Sequence, residues 1–458
     1  MAASLQRPLF GLLMLSAAAD AVPLSRYIEL SAPCKDANPI SGLLPVASVA
    51  ACEEQCDKQA ASAPGTGQAA CAAVDTDGKK CYLKSVCGGT AGSCQPGQMC
   101  GYRRQGAIPP TPAPPAPPVP PSPPGVTLRG AAAPHGIFIG AATNVAGLES
   151  TTEPQYKSVE QAQFSLTTAE NACKVGPIHP QRDHYDWSGC DTVFAAAEAA
   201  NQSVRGHNLC WHTENPGWLT NGNFTPPELS TILQEHITTV VGHYGNRAYC
   251  WDVVNEALDD HGLKPSFPWY PALPNYLDIA FHAARKAAIT AVGPAKGLDI
   301  KLFYNDYSAE GMNAKSDQVY ELVKSMKQRN VPIDGVGLQF HWDLHAHTDL
   351  QDVAANMKRL GDLGLEVHIT ELDIKCVPKG SKKACTQELL NAQAQLYADI
   401  LTTCIHAPAC KSFESWGFTD KHTWIGTQTH PLPFDENYKA KPAVAAMINA
   451  MLANTTSL

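Results

Sequence analysis

WDVVNEALDD, Trp251 to Asp260, runs from an aromatic residue through apolar positions into Asn255 and Glu256 with nothing flexible between. A short, β-branched, mostly apolar run is the pattern of a strand buried on both faces. The carboxylate at its tip is therefore delivered to a fixed place. Six further stretches repeat the pattern: HGIFIGAAT (135–143), SVRGHNLCWH (203–212), IKLFYNDY (300–307), DGVGLQFHW (334–342), LEVHITELD (365–373) and KSFESWGFTD (411–420). Each ends in polar or aromatic groups, and FSLTTAENACKV (164–175) carries Glu170, Asn171 and Lys174 after one more strand. Amphipathic helical stretches lie between, such as TPPELSTILQEHITTVVGHYG, with Thr225 as an N-cap and Pro226 in the first turn.

Strands alternating with helices imply a parallel sheet, and chemistry collected at strand C-termini implies a closed (β/α)8 barrel, an α/β fold. An open doubly wound sheet is the alternative. No G-x-G-x-x-G turn follows the first strand to support it.

The rest of the 458-residue chain divides by composition. MAASLQRPLFGLLMLSAAADA (1–21) has the form of a secretory signal, with Arg7, an apolar run and the small-residue pattern Ala19-Asp20-Ala21. That apolar run is shorter than the ~20 residues a membrane span needs. Residues 23–106 hold eight of the sixteen cysteines, between Cys34 and Cys100, the density of a disulfide framework rather than of a zinc site, since no histidine precedes His135. Residues 107–125 include PPTPAPPAPPVPPSPP (109–124), 11 prolines in 16 positions, read as an extended spacer of roughly 50 Å. Residues 126–458 form the barrel domain. Lys plus Arg at 34 against Asp plus Glu at 43 gives −9, which argues against nucleic acid as a partner. No membrane partner is expected.

Glu256 and Glu371 stand at two strand ends 115 positions apart, and a barrel would bring both to one cavity. A pair of carboxyl groups across a cavity is the requirement of glycoside hydrolysis, although a strand-terminal Glu can also be a structural partner of a neighbouring cation. Around them the strand ends place Glu170, Asn171, Lys174, His207, Trp211, His212, Asn255, Asn305, Gln339, His341, Trp416 and Trp424. Amides, imidazoles and an ammonium can hydrogen-bond sugar hydroxyls, and indole faces can stack on pyranose rings.

In order and spacing, TAEN with Lys174, HYDWSGCD, VRGHNLCWH, WDVVNEAL, YNDY, ITELDI, WGFTDKHTW and PLPFDENYKAKPA resemble the retaining endo-β-1,4-xylanases of glycoside hydrolase family 10, from about Gly136 to Met447. The resemblance implies Glu256 as acid/base, Glu371 as nucleophile and β-1,4-xylan as substrate. It also implies that Glu170, Asn171, Lys174, His207, Trp211, Asn255, Gln339, His341, Trp416 and Trp424 line the glycone subsites, and that no cofactor or metal is needed. The chain departs from the family at Cys173-Lys174-Val175, where Met-Lys-Trp is common, at Glu214, usually glutamine, and at Ile425, commonly arginine. Family members suggest a Cys404–Cys410 disulfide. Cys376 with Cys385, and Cys173 with Cys190, are expected to pair as well. The cysteine-rich module resembles a PAN/apple domain through ACEEQC and CAAVDTDGKKCYLKS, which implies binding to protein or carbohydrate. Sequons at Asn201, Asn223 and Asn454 permit glycosylation of a secreted monomer. A silent lectin-like barrel and a transglycosylase are the competing functional readings.

Overall fold

The computed structural model describes residues 117–454 and, ahead of them, the backbone of five short strands. The expected signal sequence and the cysteine pairings of the module lie outside the described residues, as does the linker up to Ala116. Two compact units are present, Met1–Pro109 and Pro110–Leu458. In the first, strands Tyr27–Glu29, Leu44–Pro45, Ala73–Thr76, Lys80–Lys84 and Cys100–Arg104 form one antiparallel sheet in the order first, fifth, third, fourth, second.

The second unit is built on eight parallel strands: β1 Phe138–Thr143, β2 Leu166–Ala169, β3 Ser203–His207, β4 Cys250–Asn255, β5 Lys301–Asp306, β6 Gly335–Leu338, β7 Glu366–Lys375 and β8 Cys410–Ser415. Each pairs in parallel with the next. The register Ser412↔Phe138 to Ser415↔Ala141 joins β8 back to β1 and closes the ring. The barrel expectation holds, and the open sheet is excluded because no strand of the ring is an edge.

The principal helices following the strands are α1 Pro154–Gln163, α2 Ser188–Ala199, α3 Pro226–Tyr244, α4 Tyr276–Val292, α5 Ala314–Gln328, α6 Leu350–Asp362, α7 Gln387–His406 and α8 Pro442–Asn454. Helix α3 shows why they form where they do. Its N-cap Thr225 gives its backbone N–H to the Glu228 carboxylate at 2.7 Å, and Pro226 occupies the first turn. Leu229, Ile232, Leu233, Ile237, Val240 and Val241 recur at helical spacing and are buried against the barrel, each contributing about 1.5–3 kcal/mol. Among the described residues no helix is long and apolar enough to cross a membrane.

The stretch DGVGLQFHW is not one strand. Phe340 turns to φ 60°, and His341–Asp343 resumes as a separate short strand beside the outer end of β7, with His341 opposite Asp373. This break swings Gln339 and His341 toward the cavity from one segment. Disulfides Cys173–Cys190, Cys376–Cys385 and Cys404–Cys410 are all formed, with Cα separations of 4.9, 5.9 and 5.3 Å. Cys210 and Cys250 are buried thiols.

Candidate active site

Glu256 follows β4 in the left-handed region at φ 55°, a conformation that costs a non-glycine residue on the order of 1–3 kcal/mol. Neighbouring groups hold it there. The Glu256 N–H donates to the Asn305 carbonyl at 2.8 Å, and the Ala257 N–H donates to the Tyr304 hydroxyl at 3.1 Å. Tyr304 donates in turn to Asp306, whose other oxygen pairs with Lys315 at 3.0 Å. The Lys315 ammonium also reaches the Leu258 carbonyl at 2.6 Å, so both chain directions out of Glu256 are fixed. Burial pushes Asp306 up to about 6 even though Lys315 opposes it.

The turned backbone aims the carboxyl at two donors: Trp211 Nε1 to Oε2 at 3.0 Å and Gln339 Nε2 to Oε1 at 3.0 Å. Glu371, 5% exposed, lies within β7 and receives Asn305 Nδ2 on Oε1 at 2.7 Å and His341 Nε2 on Oε2 at 3.1 Å. Asn305 also donates to Asn255 Oδ1 at 2.9 Å, and Gln339 approaches that same oxygen at 3.4 Å. A chain of amides thus ties the two carboxyl groups to one another through Asn255. Gly337 keeps room for it, because a Cβ there would meet Asn305 Oδ1 at 2.2 Å.

His341 stands between two acids. Its Nδ1 donates to Asp373 at 2.8 Å, and Asp373 also receives Trp424 Nε1 at 3.0 Å. Burial opposes the charged ring, but Asp373 and Glu371 outweigh it and push the His341 pKa up to about 10. The imidazolium therefore persists through neutral pH, with one N–H on Asp373 and the other on Glu371. Since the folded value lies above the ordinary 6.5, its stabilisation is fully present below pH 6.5 and is lost as pH rises toward 10. His341→Gln should lower the melting temperature by about 5 °C at pH 6, with the gap to wild type closing by pH 10 in paired thermal melts.

The remaining expected residues form two groups. Glu170, Asn171 and Lys174 share the loop after β2, where Lys174 donates to Asn171 Oδ1 at 2.7 Å and sits 5.0 Å over the Trp211 ring. Burial lowers the Lys174 pKa, while Glu214, Glu371, Glu170 and Glu256 act in the other direction, so the ammonium lies within the field of both central carboxyl groups. Burial also raises Glu170. The departure at Glu214 thus adds a carboxylate facing Lys174. The second group is His207, whose ring meets Trp416 edge to face at 5.0 Å and whose Nδ1 donates to Asp252 at 2.9 Å. Asn171 and Trp424, the latter 55% exposed, lie at the open margin.

Beneath His207 lies a polar floor that the reading of strand ends did not reach. Arg205 clamps Asp252 through Nε at 2.9 Å and Nη2 at 2.5 Å, and its Nη1 donates to His368 Nδ1 at 2.8 Å. Burial works against the Asp252 anion, but the guanidinium outweighs it and lowers the pKa. Glu414 accepts from Thr168 at 2.8 Å and Ser412 at 2.9 Å, and burial pushes it up to about 7. The available signal was strand alternation: Arg205 lies two positions before His207 and so shares its face.

Cys173 joins the loop after β2 covalently to Cys190 in the first turn of α2. The bond stands where bulky packing is common in the resembling sequences. Replacing both by alanine should raise KM about threefold through a looser Lys174 and leave kcat within twofold, which steady-state kinetics would measure.

The profile of Glycosyl hydrolase family 10 matches residues 127–450. The chain belongs to that family. It is 37% identical over 294 residues to Endo-1,4-beta-xylanase B of Neocallimastix patriciarum, covering 63% of this chain and 32% of that longer protein, so it spans about a third of that relative. Endo-1,4-beta-xylanase B of Thermotoga neapolitana is 36% identical over 302 residues, covering 65% of this chain and 83% of the relative. The crystal structure of xylanase 10B from Thermotoga petrophila RKU-1 in complex with xylobiose superposes with a TM-score of 0.67 at 36% identity, covering 72% of this chain and 98% of that one. The family 10 unit is thus a glycoside hydrolase domain. Among the described residues no cluster of His, Cys, Asp or Glu could hold a metal ion.

Proposed function

We propose that the protein is a secreted endo-1,4-β-xylanase that cleaves internal β-1,4 bonds of xylan with retention of anomeric configuration. The observation that carries the reading is the pair Glu256 and Glu371, linked through Asn305, Asn255 and Gln339 but held in unlike surroundings. Glu371 is oriented by the amide of Asn305 and the imidazolium of His341. It attacks the anomeric carbon as Glu256 gives its proton to the departing glycosidic oxygen, and a glycosyl ester on Glu371 results. Glu256, now a carboxylate, takes a proton from water as that water attacks the same carbon and releases Glu371. The amide of Asn255, its oxygen occupied by Asn305 and Gln339, presents its NH2 to the sugar 2-hydroxyl.

Substrate choice rests on the relatives, which are named as xylanases and in one case hold xylobiose. Trp416, Trp424, Lys174 and His207 supply the stacking faces and donors for a neutral sugar chain. The N-terminal signal motif supports secretion, and the cysteine-rich module is assigned an anchoring role on a wall glycan or protein. The chain acts as a monomer. Product analysis on xylan, mixed-linkage glucan and cellulose, with proton NMR of the first product anomer, tests the reading. Short β-anomeric xylo-oligosaccharides from xylan alone are expected; an α-anomer first product, or preferred cleavage of cellulose, overturns it. Transfer to an added acceptor sugar in place of water would identify a transglycosylase.

A further inference from the structure

The strand that carries Glu371 continues to Lys375, four residues or about 13 Å beyond it, and then enters a loop closed by Cys376–Cys385. That loop reads CVPKGSKKAC and contains Lys379, Lys382 and Lys383 but no acidic residue. All three lysines are exposed. Among the described residues none of them makes an ion pair, whereas Lys174, Lys315 and Lys441 elsewhere in the barrel all face carboxylates. Asp343, opposite Lys375 on the neighbouring strand, accepts from the His345 N–H.

The loop is held at the catalytic rim. The Cys376 N–H donates to the Thr429 carbonyl at 2.9 Å, which fastens it to the segment following Trp424, and the Leu344 N–H donates to the Lys375 carbonyl at 3.0 Å from the other side. A chain of net charge −9 therefore presents an unneutralised cluster of three cations on the face where the polymer must lie. The disulfide limits the loop's freedom, so little entropy is lost when the cluster engages a ligand.

We propose that this loop is a binding surface for the carboxylates of uronic-acid-bearing polysaccharide. Those carboxylates are the side chains of the xylan being cut, so the proposal rests on the xylanase reading. The triple variant Lys379→Ala/Lys382→Ala/Lys383→Ala tests it against Lys379→Arg/Lys382→Arg/Lys383→Arg in the full chain. On glucuronoxylan, KM should rise roughly fivefold in the alanine variant and return to wild type in the arginine variant, with neutral xylo-oligosaccharides unaffected. The difference should vanish at 1 M NaCl, where the Debye length is about 3 Å. In parallel, affinity electrophoresis of the inactive Glu371→Ala chain through polygalacturonate reads binding without turnover. Loss of retardation there with unchanged glucuronoxylan kinetics would give the loop to a separate acidic polymer and overturn the proposal. Unchanged behaviour in both arms, or an equal KM change on neutral and acidic substrates, overturns the proposal. Failure of the xylanase reading shows separately, as no turnover of either xylan by wild type.

Discussion

Glu371→Ala is expected to lower xylan turnover on the order of 10⁴- to 10⁶-fold, because no other group in the site can take its place in forming the covalent ester. Every donor around it would survive: Asn305 keeps Asn255 and Thr370, and His341 keeps Asp373. The loss should thus appear as chemistry rather than unfolding, with the melting temperature within a few degrees of wild type and xylo-oligosaccharide still bound. A small anion such as azide fits the space left by the carboxylate and can attack an activated aryl xyloside directly. The product would then be the α-glycosyl azide, whereas a merely structural role for Glu371 would allow no such rescue. Wild-type activity of the variant on xylan would sink the mechanism outright.

Glu256→Ala should depend on the leaving group. General acid–base catalysis contributes about 10²- to 10⁴-fold, and it is needed most where the departing oxygen is a poor leaving group. On xylan the variant should therefore lose most of that factor. On an aryl xyloside whose phenolate leaves unassisted, formation of the ester on Glu371 should proceed, while its hydrolysis, lacking a base, slows. A burst of phenolate followed by a slow steady state is the expected trace, and a uniform loss on both substrates would remove Glu256 from the acid/base role.

How much of this could be read from residues alone differs between the two layers of the barrel. The strands announced themselves because each is a short apolar run broken by polar residues, and Asn255-Glu256 at the end of β4 and Thr370-Glu371 within β7 sit outside the apolar pattern. The floor did not. Arg205, Asp252, His368 and Glu414 lie inside those same runs, where a lone charge among apolar residues reads as an irregularity until closure of the ring brings all four together. The break at Phe340 was equally silent, since nothing in LQFHW marks a positive φ. The three cysteine pairs of the barrel, Cys173–Cys190 among them, form as expected from the sequence.

The barrel's outer wall has its own practical lesson, at its beginning rather than its mouth. The Pro120 carbonyl accepts from Asn449 Nδ2 of α8 at 3.0 Å, and Val119 and Val126 pack on the core. The last prolines of the spacer are consequently part of the folded body and not free tether. An engineer trimming the chain to its hydrolase unit should start upstream of Pro117, because cutting at Thr127, where the family match begins, would expose the flank of the final helix to solvent.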